Sequence, residues 1–318
     1  MQGGVARRLW IAAALAHLAL VAGLFVVFRF GPRSGWAVLL LYSPRAVFAV
    51  PALITAVFLR GWWRVLPALT AALVLGPLMG LHLHGPGPAG KLRAVTWNVW
   101  LGDGDQQAIR AALVAAVPDL VLLQAVGHGV EWVVEGPPFQ GFTVLREDQY
   151  LLASRWPARR LPGPTNYGWR SWSHFAVDSP FGEVPVFVVR PHSPRGLLRG
   201  GLRRAIASDA PEMDSVERNL RRVDAASRDA GALRIVAGDF NLPEGSGIWR
   251  GVFAGMQDAF GEVGNGYGYT FPSRFPGPWM RLDRVLIGEG WRGTRAEVIG
   301  RWGSTHAGVL VEVERRER

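Results

Sequence analysis

Asp239 and Asn241 close the apolar run "LRIVAGDFN" and stand two residues apart. Residues at that spacing in extended chain point the same way. A carboxylate and a carboxamide are therefore expected to converge on one point. Five more polar residues mark the margins of apolar runs: Asn98 in "TWNVW", Gln124 in "LLQAV", His192 in "VVRPHSP", Asp283 in "RLDRV" and His306 in "GSTHAGV". Taken singly, each is explained as a turn or packing residue. Taken together they can bind a phosphate, orient a water and place an Asp–His pair.

The elements that must position them are mixed. "LRAVTWNVW" alternates as a strand, and "DLVLLQAV" and "LRIVAG" read as buried strands. "FTVLRE" and "YLLASRWP" are short strands, and "HFAVDSPFGEVPVFVV" is a hairpin through a Ser-Pro-Phe-Gly turn. Ile109, Ala112, Leu113, Ala116 and Val117 fall on one helical face, with Asp105 as N-cap and Pro118 as stop. Met213, Val216, Leu220 and Val223 mark a second helix, and Trp249, Val252, Phe253 and Met256 a third. "RLDRVLIG" and "AGVLVEVE" close the chain as strands. Strands and helices intermixed, with neighbouring strands antiparallel, predict a layered α/β domain. "GNGYGYTF" lacks the spacing of a dinucleotide loop.

The segments "TWNVW", "PDLVLLQAV", "LLASRWP", "VVRPHSP", "IVAGDFN", "RLDRVLI" and "STHAGVLVEV" occur in this order. Together they resemble the endonuclease/exonuclease/phosphatase family, the DNase I-like fold. "GDFN" is the most specific piece, and the likeness covers essentially all of 91–318. The resemblance implies two packed mixed β-sheets flanked by helices, a four-layer α/β sandwich with the site at one end. It also implies hydrolysis of a phosphodiester or phosphomonoester with Mg²⁺ or Mn²⁺. Carried onto this chain, it makes His192, Asp239, Asn241, Asp283 and His306 the catalytic residues. Asp239 would activate the attacking water, and Asn241 would contact the phosphate. His192 would stabilise phosphoryl charge, His306 oriented by Asp283 would act on the phosphate or the water, and Asn98 would stand beside the metal.

Two expected residues are absent. The family writes L-Q-E where this chain has Leu123-Gln124-Ala125, and S-D-H where it has Ser304-Thr305-His306. The missing Glu and Asp are the carboxylates expected to hold the ion, which for Mg²⁺ is usually bound by one or two such groups. Asn98, Asp239 and Asn241 remain as weak ligands, and Asp103, Glu131 and Asp148 are loop carboxylates that could substitute. Two readings stand: a phosphoester hydrolase with a degenerate metal site, or a pseudoenzyme that binds a phosphorylated ligand or lipid head group.

The charge distribution points to a membrane. The formal net charge is +10, with 35 Lys and Arg against 25 Asp and Glu. Residues 1–90 hold seven Arg and no acid, so the remainder has 28 basic residues against 25 acidic ones, +3. Membrane-flanking Arg therefore accounts for most of the excess. Residues 1–84 are expected to form about three transmembrane helices, near 9–28, 44–60 and 65–83. Residues 85–91 follow as a linker, and 92–318 as the α/β domain. Arg7, Arg8, Arg60 and Arg64 on one side against Arg29, Arg33 and Arg45 on the other place the large domain outside. Arg195, Arg199, Arg203 and Arg204, shortly after His192, suit a phosphate-rich substrate or anionic lipid head groups. Such a tether favours lipid or small phosphoesters over nucleic acid. With no cysteine, thiolate metal sites and Cys nucleophiles are excluded.

Overall fold

The apolar runs read from the sequence become strands because each can turn alternate side chains into a shared interior. The structure, a computed structural model, describes residues 2–85, 87–100, 104–163, 170–194, 196–197, 202–207, 209–273, 277–301 and 303–317. In chain order the strands are β1 (His82–Leu83), β2 (Leu92–Asn98), β3 (Leu120–Gln124), β4 (Thr143–Glu147), β5 (Tyr150–Ser154), β6 (Ala158–Leu161) and β7 (Trp172–Ser179). They continue as β8 (Gly182–Val189), β9 (Ile235–Asp239), β10 (Gln257–Asp258), β11 (Asn265–Gly266), β12 (Asp283–Ile287), β13 (Trp291–Ile299) and β14 (Gly308–Arg315).

Two six-stranded sheets result, ordered β10-β12-β9-β8-β7-β6 and β13-β14-β2-β3-β5-β4. β2–β3 and β8–β9 are parallel, and the other pairs of these sheets are antiparallel, so both are mixed. Side chains from both sheets fill one core, including Leu92, Leu122, Leu152, Phe175, Val186, Ile235 and Val285. On the outer face of the second sheet, Val95, Trp97, Val121 and Leu123 pack with Ile109 and Leu113 of helix Gln106–Ala116. Asp105 caps that helix by accepting from Ala108 N at 2.9 Å. Helix Pro211–Arg228 buries Met213, Val216, Leu220 and Val223. This is the layered α/β sandwich expected.

The helix read through Trp249–Met256 is shorter than expected. It spans Gly247–Val252, and Gln257–Asp258 becomes β10 instead. Pairing of Gln257 with Ile287 and of Asp258 with Leu286 prevails over a pattern weakened by Gly251 and Gly255.

In residues 1–90 the expected spans are found in part. Two helical stretches, Gly4–Phe30 and Gly61–Leu78, are long and apolar enough to cross a membrane. Gly35–Tyr42 and Arg45–Phe58 pass only as a pair bent by 93°. The span expected near 44–60 is thus half of a broken element. Pro44 stands at the break, where its fixed φ and missing N–H interrupt the helix. The span expected near 65–83 ends at Leu78, because His82–Leu83 form β1 and pair with Gly266 and Asn265. At the end of the expected linker, two backbone N–H groups bond to β14. Gly90 N donates to Glu312 Oε2 at 2.9 Å and Lys91 N to Val313 O at 3.0 Å.

The chain divides into two compact units. The first comprises Met1–Leu81, Arg195–Met213 and Pro243–Ile248; the second comprises His82–Pro194, Asp214–Leu242 and Trp249–Arg318. The first therefore takes in two later segments that a division at residue 84 would leave with the α/β domain. Within it, Gly247 packs so closely on the backbone of the N-terminal helix that a Cβ there would lie 1.6 Å from Arg29 O.

Candidate active site

Strand alternation and register collect the polar residues into one row. Leu92 and Ala94 of β2, and Leu120 and Leu122 of β3, face the core. Continuing by twos reaches Asn98 and Gln124, which pair across the ladder. Ile235 and Ala237 of β9, and Val285 and Ile287 of β12, face the same core. The same step reaches Asp239 and Asp283, which also pair. One end of the sandwich is therefore polar, beyond a core that is mainly apolar. Asn98 Nδ2 donates to Asp239 Oδ2 at 2.9 Å, joining the two sheets there.

The turn after β9 fixes Asp239 and Asn241. Gly238 has φ 145°, and a Cβ on it would lie 2.1 Å from Val189 O. Only glycine permits that approach. Phe240 N donates to Leu282 O at 3.0 Å. Asn241 adopts φ 51°, a left-handed conformation that Asn tolerates. Its N–H donates to Asp239 Oδ1 at 2.9 Å and its Nδ2 to Pro191 O at 2.8 Å. The turn ties Asp239 to the backbone N–H of Asn241, while the Asn241 carboxamide bonds Pro191 O instead of meeting the carboxylate as extended chain would predict.

His306 enters from the loop before β14. Its Nδ1 lies 2.8 Å from Asp283 Oδ2 and its Nε2 lies 3.8 Å from Asp239 Oδ2. A carboxylate accepts only from a protonated nitrogen, so the short contact sets the proton on Nδ1 and turns Nε2 toward Asp239. Trp97 Nε1 donates to His306 O at 2.9 Å, and the Phe271 ring stands 4.8 Å from the imidazole. The Asp239, Asp283 and His306 side chains are all buried. Burial pushes the Asp283 carboxyl above its ordinary pKa, against the opposing pull of His306.

The structure thus brings Asn98, Asp239, Asn241, Asp283 and His306 together. His192 follows Pro191, the acceptor for Asn241, but its ring is exposed. Arg203 is exposed on helix Leu202–Ala207, while Arg195, Arg199 and Asp103 lie outside the described residues. Sequence reasoning passed over Tyr150, which pairs with Gln124, and Arg190, which follows the inward series Val184, Val186, Val188. Counting by twos past the end of the strand would have found Arg190.

The residues present do not fit an octahedral Mg²⁺ or Mn²⁺ at the place the resemblance implies. Ala125 is fully buried at φ 53° and brings no ligand. Thr305 Oγ1 is buried with no hydrogen-bond partner among the described residues. Asn98 turns its NH₂ to Asp239, and its Oδ1 accepts from Trp100 N at 3.1 Å. Glu131 is paired with Arg146, and Asp148 lies on an exposed turn. Asp239, Asp283 and His306 offer ligand atoms within 4.8 Å of one another. Two of those side chains, however, are joined by the 2.8 Å hydrogen bond. An ion taken there would compete with that bond.

A sequence model of the Endonuclease/Exonuclease/phosphatase family matches residues 95–306. No curated protein is significantly similar in sequence. The fold is similar to that of an endonuclease/exonuclease/phosphatase from Beutenbergia cavernae, at 19% identity over 70% of this chain and 71% of that one, TM-score 0.52. It is similar to humanized D. rerio TDP2, at 18% identity over 70% of this chain and 98% of that one, TM-score 0.53. It is also similar to a mannosyl-6-phosphatase of Bacteroides thetaiotaomicron, at 14% identity over 70% of this chain and 99% of that one, TM-score 0.52. At these identities the likeness concerns the fold.

Proposed function

The chain belongs to the endonuclease/exonuclease/phosphatase family, and we propose that it is a membrane-tethered phosphoester hydrolase with a complete acid–base relay and a degenerate metal site. The observation that carries this reading is the buried series Asp283–His306–Asp239, with contacts of 2.8 and 3.8 Å. Asp283 holds the imidazole so that Nε2 faces Asp239, which is itself held by Asn98 and Asn241. A water at that gap would give a proton to the relay as its oxygen bonds to phosphorus. The P–O ester bond then breaks, and the leaving oxygen takes up a proton. The substrate class is a phosphomonoester or phosphodiester, with lipid head groups favoured over nucleic acid by the tether.

Ala125 and Thr305 favour a second reading, a pseudoenzyme that binds a phosphorylated ligand without turning it over. Purified full-length protein assayed on bis-p-nitrophenyl phosphate and p-nitrophenyl phosphate separates the two. Slow turnover that survives EDTA and is lost in Asp239→Asn is the expected result. Phosphate binding without any turnover would leave the second reading. Fast turnover abolished by EDTA would contradict the degenerate metal site.

We place the large domain outside the cytoplasm. With three spans, Arg7, Arg8, Arg60 and Arg64 share the inner side and the domain emerges opposite. With two, the segment between them carries Arg33, Arg45 and Arg60, with Arg29 and Arg64 at the facing ends of the spans, and lies inside, and the domain is again outside. Because the chain has no cysteine, Glu317→Cys gives a single label site. It is expected to react with a membrane-impermeant maleimide in intact cells. Labelling only after lysis would reverse the orientation.

A further inference from the structure

Arg190 is the first residue after β8, and its backbone keeps the ladder going: Arg190 N donates to Ser171 O at 2.8 Å, one step beyond the Trp172–Val189 pair. Val184, Val186 and Val188 face the core between the sheets, so Arg190 is the next residue of the inward series. In the parallel neighbour β9, Ile235, Ala237 and Asp239 form the corresponding series. The pairing of Val189 with Gly238 sets Arg190 beside Asp239.

The guanidinium reaches across to the other sheet. Arg190 Nη1 donates to Gln149 Oε1. Gln149 O in turn accepts from Val126 N at 3.0 Å, the residue after Ala125. Tyr150 senses the same groups. Burial raises its phenol pKa well above the ordinary value, Arg190 opposes the shift, and Asp148 and Asp239 add to it. A permanent cation therefore stands in the polar row with Asn98, Gln124, Tyr150, Asp239 and Asp283, close to the place where a Glu is missing.

We propose that Arg190 supplies the positive charge that binds the phosphoryl group in this chain, making recognition of a phosphate monoester or diester independent of a metal ion. The proposal rests on the phosphoester reading. A guanidinium is always charged, and its planar fork of donors matches phosphate oxygens.

The test is calorimetric titration of the full-length protein in detergent with inorganic phosphate, in EDTA and in Mg²⁺, at low and high salt. The wild type is expected to bind in EDTA, more weakly at high salt, with no gain from Mg²⁺. Arg190→Gln is expected to weaken binding about 10- to 100-fold, the usual worth of hydrogen bonds to a charged group. Gln149→Ala removes the bridge between the sheets but keeps the charge, and is expected to bind within about threefold of wild type. That separates charge from scaffold. Arg190→Lys keeps the charge without the fork and is expected to fall between them, which serves where Arg190→Gln does not fold. A folded Lys variant with no phosphate binding would overturn the proposal. Binding that needs Mg²⁺ and is indifferent to Arg190→Gln would also overturn it while leaving the phosphoester reading intact. No phosphate binding with or without Mg²⁺ would remove both.

Discussion

Replacing Ala125 with Glu and Thr305 with Asp in one protein is expected to strengthen Mg²⁺ binding over that of the unmodified chain. Ala125 follows Gln124 at the end of β3, and Thr305 precedes His306, so each change adds a carboxylate next in sequence to a residue of the site. Mg²⁺ needs hard oxygen ligands. At these two positions the structure offers it no carboxylate, only the neutral hydroxyl of Thr305. Either single change should do much less, because one carboxylate leaves the ion mostly hydrated. The readout needs no activity. Ligand binding stabilises the folded state by mass action, so the double variant should gain most in unfolding temperature as Mg²⁺ is raised. Without Mg²⁺ it should be less stable than wild type by about 3–5 kcal/mol, the cost of an uncompensated buried charge. A metal ion at a developing phosphoryl charge is worth several kcal/mol. Turnover in Mg²⁺ is therefore expected to rise by about 100-fold or more over the unmodified chain. Calorimetric Mg²⁺ titration of the four proteins in parallel decides the matter. A wild type that binds Mg²⁺ as tightly as the double variant would show that other ligands already fill the place.

Asp283→Asn is expected to cost hydrolysis about 10²–10⁴-fold while leaving the protein folded. Asp283 Oδ2 holds Nδ1 of His306 at 2.8 Å. An Asn amide oxygen can accept the same hydrogen bond but supplies no charge to an imidazolium. Asn can also present its NH₂ to Nδ1 and reverse the tautomer, moving the proton to Nε2. The stability sign follows from the pKa. Burial raises the Asp283 carboxyl, so its folded pKa exceeds its unfolded one. Its contribution to stability is then fully present below the unfolded pKa and lost as pH rises through the folded value. At neutral pH the ionised group is an electrostatic cost, and the Asn variant should melt no lower than wild type. The activity sign is opposite. The relay needs Asp283 ionised, so turnover should fall as pH drops through that raised pKa. The acid limb should vanish in Asp283→Asn. A variant with wild-type turnover and an unchanged acid limb would remove Asp283 from the mechanism.

The strands, the helix caps and the polar residues at strand margins were legible in the sequence because each depends on a local rule. Alternation in "LRAVTWNVW", the N-cap at Asp105 and the short stretch "GDFN" all act within a few residues. The two absent carboxylates were equally plain, since a substitution needs no coordinates to be seen. The apolar first ninety residues announced themselves by composition alone.

What only the tertiary structure decided was which local preferences would prevail. The helical pattern through Met256 yielded to β10 because β12 supplied an edge to pair with. The segment after Leu78 left the helix for β1 because β11 did the same. Asp239 took the backbone N–H of Asn241 in a left-handed turn, instead of meeting its carboxamide along an extended strand. Arg190, 49 positions before Asp239, joined the row only when the parallel pairing of β8 and β9 set the two side by side. Sequence spacing fixes which face of a strand a side chain takes. Only the register between strands, set by hydrogen bonds to distant chain and by the shared core, fixes what it faces.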